Sequence, residues 1–324
     1  MPSFRTGRVT AIVAERAGLQ RVLVDGEPAV VLTALIGPVA EGDRVVVNTT
    51  AVDLELGTGG DHFVHWNLAR SEWSRPGPGH IMKLRYTSLQ ADTGAAEEGI
   101  EEEALPTLDG LPVVACALHS QVAAVAAGFR AATGSAKRLV LVMTDGGALP
   151  LALSDLVAGL DLAGTVTAGH AFGGDIEAVN VPSAIWLARS RLDADAVVVA
   201  PGPGVVGTGT PLGTTALDVV AALDMTVALG GQPIIAVRAS AADQRERHRG
   251  ISHHTMTALT LVRSSVTVPL PPELRLADER HEVVTVDVPD LDLPAGLTTM
   301  GRGPSEDPVF FRAAAAAGLV AGRT

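Results

Sequence analysis

The sequence predicts a doubly wound α/β domain with a mainly parallel, Rossmann-like sheet, preceded by a small N-terminal β-barrel-like domain. Three observations carry this. Residues 1–70 hold short apolar stretches that alternate with period two and are parted by turn residues. From residue 110 onward, five apolar runs each precede a helical pattern, as expected of buried parallel strands joined by right-handed crossovers. Between them lies a stretch rich in Pro, Gly and Glu that fits neither pattern. The expected organisation is residues 1–89 as the barrel-like domain with an irregular tail, 90–109 as an acidic linker, and 110–324 as the α/β domain with C-terminal strands and a helix.

In chain order, residues 7–13 and 20–25 read as strands, and Asp25-Gly26 as the turn that follows. Residues 29–35 and 43–48 are further strands, with Glu41-Gly42-Asp43 turning into the latter. No helical period interrupts them, and strands this short and close suggest a barrel. Gly57-Thr58-Gly59-Gly60 reads as a tight bend. His62 and His65 stand three apart, on opposite sides of a strand, so a shared metal is not expected there. Arg75-Pro76-Gly77-Pro78-Gly79-His80 suits neither helix nor central strand. The acidic run from Glu97 to Glu103 reads as a solvated linker or frayed helix.

The five buried runs are residues 112–118, 138–143, 165–168, 195–200 and 233–238. Helices are expected near 121–132, 149–161, 178–193, 213–229 and 253–263. Residues 265–270 and 283–288 read as strands. Residues 308–321 read as a helix, with Pro308 in its first position and Asp307 as its cap.

Composition narrows the function. A chain of 324 residues, 47% hydrophobic, buries a full core without staples. Its one cysteine, Cys116, excludes an intrachain disulfide and Cys-rich zinc sites, and reads as an inert buried thiol. A formal charge of −12 argues against nucleic acid as a partner. No uninterrupted apolar stretch reaches the roughly 18 residues of a membrane span, and the amino end lacks a signal-peptide pattern. A cytoplasmic location is expected.

In open parallel sheets ligands bind beyond the carboxyl ends of the strands, so chemistry is expected in the strand-to-helix loops. The first loop holds His119 and Ser120, the second Thr144-Asp145-Gly146-Gly147, and the third runs from Gly169 and His170 to Asp175. His119, His170 and His254 are candidate proton carriers; Asp145 and Asp175 are candidate bases or metal ligands. The fourth loop matches G-x-G-x-x-G at Gly202, Gly204 and Gly207, with Gly209 beyond. Gly209 and Pro211 delay the helix, and the next strand ends in Arg238 where an acidic residue is needed, which sets NAD aside. Those glycines still suit close approach of backbone N–H groups to an anion.

The fifth loop is the sharpest anomaly. Arg245, Arg247 and Arg249 cluster ahead of Ser252, a helix cap, and together they suit an anion clamp, the alternative being surface ion pairing with Glu246 and Asp243. His248, His253 and His254 add acid–base or ligand groups. Consecutive histidines diverge on a helix, so at most one of His253 and His254 is expected to face the site. The cofactor stays open. His119, Asp145, His170 and Asp175 suit a divalent metal, but no H-E-x-x-H or H-x-H spacing supports one. G-x-S-x-G and Walker A motifs are absent.

Several longer motifs carry a resemblance. They are Pro76-Gly77-Pro78-Gly79-His80-Ile81-Met82-Lys83-Leu84-Arg85-Tyr86, Met143-Thr144-Asp145-Gly146-Gly147, Ala171-Phe172-Gly173-Gly174-Asp175, Gly207-Thr208-Gly209-Thr210, the stretch from Arg245 to His254, and Thr299-Met300-Gly301-Arg302-Gly303. From about residue 7 to its carboxyl end the chain resembles the bacterial family catalogued as domain of unknown function 3866. The resemblance implies a bacterial, intracellular protein and supplies no activity, cofactor or catalytic residue. Residues 76–86 and 299–303, with Lys83, Arg85 and Arg302, are expected to fold over the sheet edge and wall the pocket.

The reading that follows is an enzyme, a hydrolase or transferase, on a small anionic metabolite, phosphorylated or nucleotide-like. The alternatives are a non-catalytic sensor of such a ligand and an assembly protein. The expected partner is a small anion; nucleic acid and membrane are not expected, and a homo-oligomer is compatible with the chain.

Overall fold

The computed structural model describes residues 2–56, 60–77, 79–101 and 104–324. These form two compact units, Met1–Gly94 and Ala95–Thr324.

The first unit is built on a closed barrel of strands β1 (Phe4–Arg16), β2 (Leu19–Val24), β3 (Glu27–Leu32), β4 (Arg44–Asn48) and β5 (His62–Asn67), in the order β1-β2-β3-β5-β4. Asp25 and Gly26 both have positive φ, 52° and 85°, as a two-residue hairpin turn requires. Alternate valines, among them Val22, Val24, Val45 and Val47, fill the interior. Two helical turns, α1 (Thr33–Ile36) and α2 (Thr50–Asp53), interrupt what reads from sequence as unbroken β structure. The strand expected to reach residue 35 therefore ends at Leu32. His62 Nε2 meets Glu27 at 3.1 Å while the His65 ring packs on Phe4, so the two histidines share no ligand. Of the glycine bend, residues 57–59 lie outside the described residues. The irregular tail contains one short antiparallel pair, β6 (Met82–Lys83) with β7 (Ala91–Asp92).

The second unit is a doubly wound α/β domain. Its elements are β8 (Pro112–Cys116), α3 (Gln121–Thr133), β9 (Leu139–Thr144), α4 (Asp155–Ala158), β10 (Gly164–Ala168), β11 (Ile176–Ala178), α5 (Val181–Leu192), β12 (Ala196–Pro201), α6 (Asp218–Ala228), β13 (Gln232–Ala236), β14 (Ala239–Ser240), β15 (Gly250–Ile251), α7 (His253–Leu261), β16 (Thr267–Leu270), β17 (Glu282–Thr285) and α8 (Pro308–Arg323). The sheet order is β11-β10-β9-β12-β8-β13-β16-β17, every pair parallel. The apolar runs are continuous because both faces are covered. Val114, Leu141 and Val198 pack with α3 and α8 on one face. Val113, Val142 and Val199 pack with α5 on the other. The chain leaves β8 and β9 for the first face, and β12 and β13 for the second. These four strands are neighbours, so crevices open between their carboxyl ends, which is the topological switch region of such sheets.

Three local readings change. Residues 95–101 are docked rather than solvated: Glu97 accepts from the Val179 N–H at 2.9 Å, and Ile100 packs into the α5 layer. The helix expected near 149–161 shrinks to a 3₁₀ turn, Leu151–Leu153, and the four residues of α4, since Pro150 and Gly159 bracket it. Asp307 does not cap α8 with its side chain. Fully buried, its carboxylate accepts from Ser240 Oγ (2.5 Å) and Ala241 N (3.0 Å) and pairs with Arg302.

Candidate functional site

The loops after β8, β9, β12 and β13 meet at the carboxyl edge. His119, in the β8 loop, is buried between two others. Its Nδ1 lies 2.9 Å from the Pro201 carbonyl and its Nε2 lies 2.6 Å from Ser154 Oγ. A carbonyl only accepts, so Nδ1 carries the proton and Nε2 accepts from the serine. Burial holds this imidazole below its ordinary pKa. Ser154 also caps α4 by accepting from Val157 N. Both ring nitrogens are thus committed to tying three loops together, and His119 is a brace rather than a free proton carrier.

Asp145 lies exposed just beyond β9, and its Oδ2 accepts from the His170 N–H at 2.9 Å, so these two predicted residues do come together. Beside them stands Asp218 at the start of α6. Burial, and then the neighbouring Asp145, push its carboxyl above the usual range. A raised carboxyl such as that of Asp218 is suited to holding and releasing a proton. Asp218 escapes sequence reading because it begins a helix, where an acidic residue is ordinary.

Asp175 leaves the site altogether. After β10 the chain doubles back and restarts as β11, parallel to β10, with Ile176 opposite Val166. Asp175 Oδ2 accepts from Thr165 N (2.8 Å) and Thr165 Oγ1 (2.9 Å), near the amino end of β10. It caps a turn at the amino edge of the sheet.

The glycine loop divides in two. Gly202 exists for packing: a Cβ there would sit 2.0 Å from the Ala148 carbonyl oxygen. Gly204 adopts φ +85°, which favours glycine. Gly207 bridges to Thr214 in a small hairpin closed by Thr208 N–H on the Gly213 carbonyl (2.6 Å), so no helix starts within the motif. This second half reaches the fifth loop. A Cβ on Gly207 would lie 3.7 Å from His254 Cε1, and one on Gly209 3.8 Å from Arg247 Nη1.

The fifth loop is organised by Arg238, a residue that ends an otherwise apolar run and is 5% exposed. Its N–H donates to Thr255 Oγ1 (3.1 Å) and its carbonyl accepts from Ser252 N (2.8 Å), pinning the start of α7 to the sheet. Burial, then the neighbouring Arg245, push its guanidinium down to about 10, so it is charged at neutral pH. Buried Asp243 takes two hydrogen bonds from the Arg245 guanidinium, at 3.0 and 2.9 Å, and a third from Arg302 at 3.3 Å. Those bonds hold its carboxyl well below the usual range. Arg249 Nε donates to the Asp243 carbonyl (2.9 Å). Of the three predicted clamp arginines, Arg245 and Arg249 are therefore structural. Arg247 is exposed and has no hydrogen bond or ion pair among the described residues.

Ser252 caps α7 by accepting from His254 N (3.3 Å) and meets His248 Nδ1 at 2.7 Å. His248, His253 and His254 form one cluster, with ring centroids 4.2–5.0 Å apart. The expectation that only one of the last two faces the site fails. They begin α7, where side chains lean back toward the amino end and both reach His248. Burial, then Arg238, push His248 down to about 3 and His254 down to about 4. Burial, then Arg247, also lower His253. All three rings are neutral at physiological pH. The Nε2 atoms of His253 and His254 are buried and have no hydrogen-bond partner.

Residues 299–303 do reach this edge: Thr299 Oγ1 accepts from Ser120 Oγ (3.2 Å), and Arg302 bridges Asp243 and Asp307. Residues 76–86 belong to the first unit, where Lys83 is buried. At the amino edge lies a cavity of about 310 Å³ lined by Pro112, Lys137, Arg189, Asp195 and Gln232. Three of its charged side chains are already used: Lys137 on the Gly322 carbonyl, Arg189 on the Ala194 carbonyl, and Asp195 on Arg138 N.

The family model described as "Protein of unknown function (DUF3866)" matches residues 28–318. No curated protein and no solved structure matches the chain.

Proposed function

The chain belongs to the DUF3866 family of proteins of unknown function, and we propose that it is a cytoplasmic small-molecule enzyme, a hydrolase or transferase. Its substrate is an anionic, phosphorylated or nucleotide-like metabolite bound at the carboxyl edge of the parallel sheet. One observation carries the reading: around Arg238 stand Arg245, Arg247 and Arg302, and neither Arg238 nor Arg247 has an ion pair among the described residues. A surplus of positive charge at a strand-end crevice, in a chain of net charge −12, favours an anion. Arg247 and the backbone at Gly207 and Gly209 hold the anion, while Asp145 with Asp218 moves protons. Among the described residues no helix is long and apolar enough to cross a membrane.

A second reading has its own support. His119 is locked and Asp175 lies at the far edge, which removes two of the acid–base candidates from the rim. A non-catalytic sensor of the same ligand needs neither. A thermal-shift screen with nucleotides, sugar phosphates and divalent metals, followed by turnover assays on every hit, separates the two. At a hundredfold excess over Kd a ligand stabilises by about 2.7 kcal/mol, a shift of several degrees. A shift with turnover supports the enzyme, and a shift without turnover supports the sensor. No shift with any anion contradicts both.

A further inference from the structure

Resting on the anion reading above, we propose that the anion is the phosphate of a phosphate monoester, held by the buried Nε2–H of His254 together with His253 and Arg247, in a triad of imidazoles that takes no metal.

The cluster invites the opposite conclusion. His248, His253 and His254 each offer a nitrogen within 4.8 Å of the others, a spacing that suits a zinc-class ion. The proton on His254 argues against it. Arg238 Nη1 lies 3.0 Å from His254 Nδ1. A guanidinium only donates, so Nδ1 must accept, and the single proton of the neutral ring sits on Nε2. His254 then has no lone pair left for a metal: one nitrogen is occupied by Arg238 and the other carries hydrogen.

What remains is a donor in search of an acceptor. His254 is 6% exposed, and its Nε2 is buried without a partner. A buried N–H left unsatisfied carries its full desolvation cost, which an oxyanion relieves and a cation does not. His253 Nε2 is orphaned beside it. The electrostatics agree. Arg238, Arg245 and Arg247 disfavour a positive charge on these rings, and the same field repels a divalent cation and attracts an anion. Neither Arg238 nor Arg247 has an ion pair among the described residues, and two such guanidiniums suit the dianion of a phosphate monoester. Gly207 and Gly209 keep side chains off the approach to His254 and Arg247.

The test uses the full chain and inorganic phosphate as probe, with zinc as the competing probe. Proton–nitrogen correlation spectra of the histidine rings should show His254 protonated at Nε2, and phosphate should shift that resonance. Calorimetry should show H254A weakening phosphate binding about ten- to a hundredfold, the loss of one hydrogen bond to a charged group. H254Q keeps an N–H donor and should retain affinity to within several-fold. Stoichiometric zinc binding with shifts at all three rings overturns the proposal. So does a phosphate Kd that H254A leaves unchanged in a protein with wild-type circular dichroism, although the anion reading then survives. Wild-type protein that ignores phosphate but binds nucleotides likewise removes this placement alone; binding of no anion at all removes both.

Discussion

At the scale of the residue, histidines in a cationic pocket have a thermodynamic signature. His248 and His254 are buried, and both titrate in the fold far below the ordinary 6.5, at about 3 and about 4. The unfolded chain therefore binds protons that the folded chain refuses between those values and about 6.5. Stability contributed by the neutral rings is full above that range and is lost as pH falls through it, by up to about 1.4 kcal/mol per pH unit for each ring. Denaturant melts at pH 7, 6 and 5 should show falling stability, and the double variant H248Q/H254Q should flatten the dependence. A wild-type profile that is flat from pH 7 to 5 contradicts the buried, neutral cluster.

Much of this residue chemistry was legible in sequence, and its limits have physical causes. The run from Arg245 to His254 stands out by charge alone. Pairing of Arg245 with Asp243, two positions upstream, was open from the charge pattern; what the sequence could not reveal is that this carboxylate is buried and shared with Arg302, because that depends on a loop folding back on itself. Arg238 was visible as the last residue of an apolar strand, yet its role rests on α7 returning to meet it. Asp175 misled because a three-residue strand with no apolar run, β11, sends the loop back to the other edge.

At the scale of the element, the strand-and-helix alternation was legible because buried parallel strands are apolar on both faces, a pattern no solvated segment imitates. The packing of the terminal helix was not, since alanine-rich sequence says little about its partner. In the fold α8 lies against α3 closely enough that glycine is required on each. A Cβ on Gly318 would lie 2.0 Å from the Val125 carbonyl oxygen, and one on Gly128 2.2 Å from that of Ala315. These contacts are with backbone and cannot swing aside. G318A is expected to destabilise by about 1–3 kcal/mol despite alanine's better helix propensity, as overpacking does. A urea melt measures it, and a neutral or stabilised variant would place the helices further apart than the structure has them.

At the scale of the whole molecule, the topology decides where function can reside. Crossovers leave β8 and β9 for one face and β12 and β13 for the other, so the crevice forms where those four strands end. The loops that line it carry Arg238, Arg247, His253 and His254 in a chain otherwise rich in carboxylates. The arginine and histidine cluster is thus a local feature of one sheet edge, and the net charge of −12 gives no hint of it.

The most direct measurement is a crystal of the full chain grown with tungstate, a heavy tetrahedral dianion located by its anomalous scattering. The structure predicts a single strong peak within hydrogen-bonding distance of His254 Nε2 and the Arg247 guanidinium. Peaks only at other surfaces, or none at all while a zinc-soaked crystal fills the three-histidine cluster, would contradict it.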